Sequence, residues 1–167
     1  MQVHVKVGAN SDGHIRAIEV DALSNQGAYG EHGTTTIGLV GHKSIPLYNQ
    51  AEAFRFKWHT VYTNMMPGGA FRGYGATQGI FAVESAVNEL AIKLGMVSSL
   101  IREKNMLHFG EILKAYYNEP LTSCALDRCI VRGKEMIGWD EKYPMKKMSE
   151  TKVRGVGMAI AMQGSGI

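Results

Sequence analysis

The sequence has little that would place it in a membrane or an oxidising compartment. Only two of its 167 residues are cysteine, Cys124 and Cys129. Their spacing of five matches neither a CxxC redox motif nor the ligand spacing of a zinc knuckle. No apolar run approaches the roughly 18 residues of a membrane-spanning helix, and the N-terminal segment alternates apolar and polar residues instead of forming a signal core. We therefore expect reduced thiols in a cytoplasmic protein with no membrane partner.

The sequence also lacks a large excess of either positive or negative charge. Lysine and arginine number 18 against 15 acidic residues, which gives a net charge of +3. The basic residues are interleaved with acidic ones, and no basic stripe with interspersed aromatic residues is present. A nucleic-acid partner is therefore not expected. With 45% hydrophobic and 20% charged residues, the composition is that of a globular protein and excludes a disordered chain.

Proline is scarce, with four residues, whereas glycine is abundant, with 20. The glycines form three clusters, at 27–41, 68–79 and 155–166, which together hold fourteen of them in 39 positions. Clusters of this kind indicate places where the backbone turns sharply or closely approaches another group. We interpret the first cluster as the wall of a pocket.

Hydrophobic periodicity predicts a mixture of strands and helices without a strict βαβ alternation, so the predicted fold class is α+β. The best helix begins after a glycine-rich loop and ends at Gly95, with apolar residues at helical spacing. The predicted elements are a hairpin over 3–20 with its turn at 10–13, a strand over 51–63, a loop over 64–75, helices from about 80 to 94, over 98–107 and over 123–138, a connecting segment over 139–150, and a strand over 153–163.

A glycine-rich loop that opens a long helix can bind an anion, because free backbone N–H groups and the helix dipole face the ligand. Gly73, Gly75 and Gly79 give GxGxxxG, which is close to the GxGxxG fingerprint of dinucleotide-binding folds. Bulky residues flank the glycines, however, and no acidic residue follows at the required distance. A nucleotide-binding domain is retained as an alternative interpretation.

The same loop carries a more specific motif. Residues 68–78 read Gly-Gly-Ala-Phe-Arg-Gly-Tyr-Gly-Ala-Thr-Gln. This segment closely resembles the AFRGFG-x-x-Q signature of the molybdenum hydroxylases, the family of xanthine dehydrogenase, aldehyde oxidase and carbon monoxide dehydrogenase. Residues 62–64, Glu84 and Ser85, residues 104–106 and the stretch from 154 to 166 also resemble that family. The resemblance implies a fragment of the molybdopterin-binding domain, with 1–107 as the C-terminal part of a first subdomain and 108–167 as a connecting segment and the start of a second.

The resemblance also implies roles for individual residues. The backbone at Arg72 would face the molybdenum, with no side-chain ligand to the metal, and the ring of Tyr74 would stack on a flat substrate. Tyrosine adds a hydroxyl where many family members have phenylalanine, so the pocket is expected to be slightly more polar. The residues implied to bind the cofactor are Gly69, Ala70, Phe71, Arg72, Gly73, Gln78, Gln163 and Gly164.

Other functional groups of the family have no counterpart here. Its general base would lie beyond residue 167, so the resemblance implies no catalytic side chain in this sequence. A substrate-binding arginine of the xanthine oxidases would fall near Val40, where this sequence has none, and Glu31 or His32 are possible substitutes. Met65, Met66, Met158 and Met162 are predicted to fill apolar gaps near the cofactor end.

The parent reaction implied by the resemblance is hydroxylation of a purine, another N-heterocycle or an aldehyde, with water as the oxygen source and xanthine dehydrogenase as the nearest type. Its partners would be the remaining segments of the molybdopterin subunit and the subunits or domains that carry iron–sulfur clusters and FAD. The chain by itself is expected to be an inactive fragment. A non-catalytic assembly or binding module is the alternative from a different class.

Overall fold

The computed structural model describes residues 1–115 and 117–163. Its main body consists of β1 (Gln2–Ala9), β2 (Ile15–Gly27), α1 (Gly33–Ser44), a 3-10 helix (Ile45–Tyr48), β3 (Ala53–Tyr62) and α2 (Ala76–Leu94). The elements that follow are α3 (Ser98–Asn105), α4 (Leu126–Ile137), α5 (Trp139–Lys142), β4 (Met145–Lys147) and β5 (Val153–Gly155).

The main sheet has the order β1-β2-β3 and a mixed topology. β1 and β2 form the predicted antiparallel hairpin, whereas β2 and β3 are parallel and are connected through α1. A parallel pair needs such a crossover because a short turn cannot return the chain in the same direction. β4 and β5 form a separate two-stranded sheet. This arrangement confirms the α+β class.

Helix α1 was not predicted, because glycine is a poor helix former and its cluster was interpreted as a pocket wall. The helix forms because tertiary packing requires small residues there. A Cβ atom added at Gly41 would lie 2.3 Å from the ring of Phe56 in β3, and one added at Gly33 would lie 2.1 Å from Gln26 Oε1. Gly33 and Gly41 of this cluster therefore allow a helix to pack against the sheet.

The prediction for the C-terminal part was wrong in two respects. The segment 139–150 contains α5 and β4 instead of only a connection, and the strand predicted over 153–163 is limited to Val153–Gly155. In the described part of the chain, residues 156–163 have no neighbouring strand with which to pair. The N–H of Ile160 instead donates to Glu84 Oε2 at 2.8 Å.

Helices α1 and α2 cross closely, and this crossing fixes the position at which α2 begins. A Cβ added at Gly75 would lie 1.8 Å from the carbonyl oxygen of Thr36, and one added at Gly79 would lie 2.0 Å from that of Val40. Both contacts involve backbone atoms that cannot rotate away. Gly79, which completed the near-match to a dinucleotide fingerprint, is therefore used for helix packing.

A buried ionic cluster connects α2 with α3 and with the segment after β5. The guanidinium of Arg102, which is fully buried, donates from Nε to Glu84 Oε2 at 2.8 Å. The other carboxylate oxygen of Glu84 accepts a hydrogen bond from the hydroxyl of Tyr48. Burial, reinforced by the negative charge of Glu84, raises the pKa of Tyr48 well above its usual value, so this hydroxyl stays a donor.

Within the described residues, no helix is both long and apolar enough to cross a membrane. Of the two cysteines, Cys124 is half-buried and Cys129 is exposed, and neither forms a disulfide.

Candidate cofactor and substrate site

The segment between β3 and α2, residues 64–75, is called here the signature loop. Its first half is attached to the end of β2 by backbone hydrogen bonds, from Ala28 N–H to Met65 O at 3.2 Å and from Gly68 N–H to Gln26 O at 3.2 Å. A Cβ at Gly27, which has a φ of +73°, would lie 2.4 Å from Met66 O. The loop therefore leaves the sheet in a fixed direction.

The middle of the signature loop is open to solvent. Residues 69–72 are exposed, and the side chain of Phe71 is 88% exposed. Among the described residues, the N–H groups of 69–72 donate to no hydrogen-bond acceptor, and a Cβ added at Gly69 would meet no atom within 4 Å. Four successive amide donors are thus available to an oxygen-rich ligand.

The loop ends in three consecutive residues with left-handed backbone conformation, at Gly73, Tyr74 and Gly75, with φ values of +96°, +51° and +92°. For tyrosine this conformation costs on the order of 1–2 kcal/mol. It is held by a hydrogen bond from Tyr74 N–H to Phe71 O at 2.7 Å and by the packing of Gly75 against α1. The turn therefore fixes the orientation of the Tyr74 side chain relative to the rest of the loop.

The N-terminus of α2, directly after the signature loop, is also accessible to a ligand. No side chain caps the helix, and its first turn contains no acidic residue. Uncapped N–H groups and the positive end of the helix dipole favour an anionic ligand. Gln78 lies in this first turn and is exposed, and its Oε1 accepts a hydrogen bond from the hydroxyl of Thr77 at 2.8 Å.

The structure places His32 beside Tyr74. The Tyr74 hydroxyl and His32 Nδ1 are 2.5 Å apart, and the two rings meet edge to face with centroids separated by 5.9 Å. His32 directly precedes α1, so the segment at 27–41 places one side chain beside the ring of Tyr74. Both residues were candidates for the substrate site, but their contact could not be predicted, because they are 42 positions apart and belong to different motifs.

The remaining predicted site residues lie in different surroundings. Val40 is fully buried at the crossing of α1 and α2, whereas Glu31 is exposed and has a φ of +34°. Gln163 is exposed and lies outside regular secondary structure. Gly164 lies outside the described residues.

The four methionines predicted to fill apolar gaps lie in different surroundings. Met65 and Met66 of the signature loop are exposed, Met66 to 89%, whereas Met158 and Met162 are half-buried against the hydrophobic core. Tyr29, Tyr62 and Phe71 are also large exposed residues in or next to the loop. Exposed apolar side chains concentrated in one region indicate a contact surface. In the described part of the chain, no group of three histidine, cysteine or acidic side chains could hold a metal ion.

The ionic cluster of Tyr48, Glu84 and Arg102 was missed as a unit. The only sequence signal was that Glu84 belongs to the family resemblance, and a charged residue inside an apolar helix face is usually buried only when it is paired. Its bond to the N–H of Ile160 connects α2, which begins at the signature loop, with the segment that leads to Gln163.

A protein family described as a molybdopterin cofactor-binding domain matches residues 1–106, which include the whole signature loop and α2. The chain belongs to this family. The match confirms the identification made from the motif at 68–78, and the cofactor of the family is molybdopterin.

Individual relatives support the same assignment. The chain is 38% identical over 176 residues to a probable hypoxanthine oxidase of Escherichia coli, covering 99% of this chain and 18% of the relative. It is 34% identical over 160 residues to a putative xanthine dehydrogenase molybdenum-binding subunit of the same species, covering 92% of this chain and 20% of that subunit. The chain therefore spans about a fifth of the length of these relatives.

A solved structure has the same fold. The aldehyde oxidoreductase of Desulfovibrio gigas superposes with a TM-score of 0.72 at 33% identity, covering 84% of this chain and 15% of that enzyme. The geometry of the signature loop fits a molybdopterin group. Within residues 1–115 and 117–163, the amide donors at 69–72 have no acceptor, no side chain caps the start of α2, and no atom fills the space in front of Gly69.

Proposed function

We propose that the chain forms part of the cofactor-binding and substrate-binding wall of a molybdenum hydroxylase. The parent enzyme would hydroxylate a purine, another N-heterocycle or an aldehyde with water as the oxygen source, with a purine as the favoured substrate. Two relatives named as a hypoxanthine oxidase and a xanthine dehydrogenase subunit support the purine. The observation that carries the proposal is the row of exposed amide donors at residues 69–72.

The bound molybdopterin would supply a redox centre that accepts two electrons from the substrate carbon. In this proposal, Gly69, Ala70, Phe71 and Gly73 would hold the cofactor by their backbone, and the N–H of Arg72 would face the metal centre. An amide is suited to that position because it stabilises negative charge without acting as a nucleophile or a base.

Tyr74 would offer its ring to a flat heterocycle, and its position is fixed by the left-handed turn at 73–75. A flat ring that stacks on a rigid aromatic side chain loses little conformational entropy on binding. Gln78, Gln163 and Gly164 would complete the cofactor contacts. The general base would come from a part of the enzyme outside this sequence.

The same proposal extends to the parent protein. Residues 1–107 would end the first molybdopterin-binding subdomain and residues 108–167 would begin the second. Iron–sulfur clusters and FAD on partner domains or subunits would remove the electrons, and the enzyme would be cytoplasmic.

The role of the Arg72 backbone can be tested in the full-length parent enzyme with two substitutions. Arg72→Ala removes the side chain and keeps the N–H, so molybdenum content and most of the activity with xanthine should remain. Arg72→Pro removes the N–H, and the loss of one such donor should lower kcat about 100-fold or more. Equal activity of the two variants would show that the amide has no role.

Molybdenum analysis of the purified parent distinguishes the enzyme from a non-catalytic assembly module. Near one molybdenum per molybdopterin subunit supports the hydroxylase. A parent that contains no molybdenum and oxidises neither xanthine nor aldehydes supports the module.

A further inference from the structure

His32 and Tyr74 form a polar pair at the edge of the proposed substrate site. We propose that His32 is a substrate-binding residue that donates a hydrogen bond from Nε2 to a carbonyl oxygen or ring nitrogen of the heterocycle stacked on Tyr74. The inference rests on the proposed function, because it requires Tyr74 to contact the substrate. It adds a residue that selects between substrate classes.

The direction of the hydrogen bond follows from the chemistry of the two groups. A phenol O–H is a good donor, and a neutral imidazole nitrogen without a proton is a good acceptor. The 2.5 Å contact is therefore assigned as Tyr74 O–H donating to His32 Nδ1. The single proton of the neutral imidazole is then on Nε2, which makes this atom a donor.

The donor is available to a ligand. His32 is exposed, and among the described residues its Nε2 has no hydrogen-bond partner. The imidazole packs edge to face against Tyr74 at an interplanar angle of 65°, so it lies directly beside the ring on which a substrate would stack.

Both members of the pair are anchored to the first turn of α1. The carbonyl oxygen of His32 accepts the N–H of Thr36 at 2.9 Å, while Gly75, next to Tyr74, packs against the carbonyl oxygen of the same Thr36. The distance between imidazole and phenol is therefore set by one rigid contact. Donors held in this way bind a ligand without a further ordering cost.

The same region of the fold cannot present an arginine from residue 40. Val40 is fully buried where α1 crosses α2, and its carbonyl is in contact with Gly79. A neutral imidazole donor beside Tyr74 recognises a ligand with a hydrogen-bond acceptor on its ring. An aromatic aldehyde has its only oxygen on the reacting carbon and no acceptor on its ring, so this donor would not contribute to its binding.

The test uses the full-length holoenzyme of the parent with xanthine and benzaldehyde as substrates. His32→Asn keeps an acceptor near the position of Nδ1 and removes the Nε2 donor. We expect the KM for xanthine to rise about tenfold, as for the loss of one hydrogen bond, with kcat within twofold and the KM for benzaldehyde unchanged. Calorimetry should show a similar rise in the Kd of uric acid, a readout that needs no turnover.

Two further variants make the test specific. His32→Gln places an amide donor near the position of Nε2 and should restore the KM for xanthine to within about threefold of wild type. His59→Asn changes another exposed histidine, in β3, and should leave both substrates unaffected.

Three outcomes overturn the inference. If the KM values of His32→Asn for xanthine and benzaldehyde both stay at wild-type values, His32 does not bind the substrate. If they rise together, His32 has only a structural role. A wild-type parent without molybdenum and without activity on either substrate contradicts the proposed function itself, and the inference with it.

Discussion

The buried ion pair of Arg102 and Glu84 gives a large expected effect from a single substitution. Arg102 Nε is 2.8 Å from Glu84 Oε2, Nη1 is 2.7 Å from the carbonyl oxygen of Ser98, and Nη2 is 3.0 Å from Asn88 Oδ1. The substitution Arg102→Met keeps an unbranched side chain that can fill much of the same space. It leaves the Glu84 carboxylate buried without its counter-charge.

Removing one partner of a buried ion pair costs about 3–5 kcal/mol, because an uncompensated charge stays in the interior. Glu84 retains two donors in the variant, the Tyr48 hydroxyl and the N–H of Ile160. Hydrogen bonds to a charged group contribute about 1.5–3 kcal/mol each, so we expect the lower end of the range, about 3 kcal/mol. The total stability of a domain is about 5–15 kcal/mol, so this is a major loss.

Urea denaturation followed by far-UV circular dichroism measures the change in the free energy of unfolding. Arg132→Met is the matched control, because Arg132 forms an exposed ion pair with Glu135 in which the arginine side chain is 73% exposed. Such surface pairs contribute about 0–1 kcal/mol. A loss for Arg102→Met no larger than for the control would refute the reasoning.

The double variant Arg102→Met/Glu84→Leu separates the buried charge from the lost contacts. Replacement of both partners leaves no uncompensated charge. The double variant should therefore be more stable than the sum of the two single losses predicts, by more than about 0.5 kcal/mol. Additive losses would show that the two side chains do not act as a pair.

Two other predictions concern packing and pH. Gly79→Ala places a Cβ 2.0 Å from the carbonyl oxygen of Val40 and should strongly lower the urea concentration at the midpoint of unfolding. Gly133→Ala, in an open position of α4, should instead stabilise the folded state by about 0.5–1 kcal/mol. Similar effects of the two substitutions would contradict the close crossing of α1 and α2. Burial, with a smaller effect of the charge of Lys43, lowers the pKa of His42 from 6.5 to about 4. Since the unfolded chain then binds more protons, the stability from this group is complete above pH 6.5 and is lost as the pH falls towards 4. The urea midpoint of wild type should fall more than that of His42→Asn between pH 7 and pH 5.

Local patterns were sufficient to predict the elements whose cause is local. The hairpin followed from alternation and a turn at 10–13, and α2 followed from apolar residues at helical spacing that end at Gly95, the left-handed C-cap. Helix α1 could not be predicted in this way. Its glycines lower helix propensity, and only the contacts of Gly33 with Gln26 and of Gly41 with Phe56 show why they are there.

Some features of the candidate site could likewise be predicted from a local sequence pattern, whereas others depend on tertiary packing. The motif at 68–78 identified the signature loop and the family, because an eleven-residue pattern is specific. The pairing of Tyr74 with His32 depends on how α1 packs against the start of α2, which no segment of the sequence encodes by itself. The extent of β5 also depends on tertiary pairing, since an extended segment without a neighbouring strand has no ladder to join.

The glycines of the signature region serve two tasks, the packing of α2 against α1 and the opening in front of the exposed amides. Gly75 and Gly79 let α2 approach the backbone of α1 at Thr36 and Val40, whereas Gly69 leaves the space in front of the exposed amides open. Because Gly75 belongs to the turn that orients Tyr74, the packing of two helices determines the position of the proposed substrate-stacking ring. The shape of the loop is thus set by a contact outside it, and substitutions in α1 should alter substrate binding without touching the substrate.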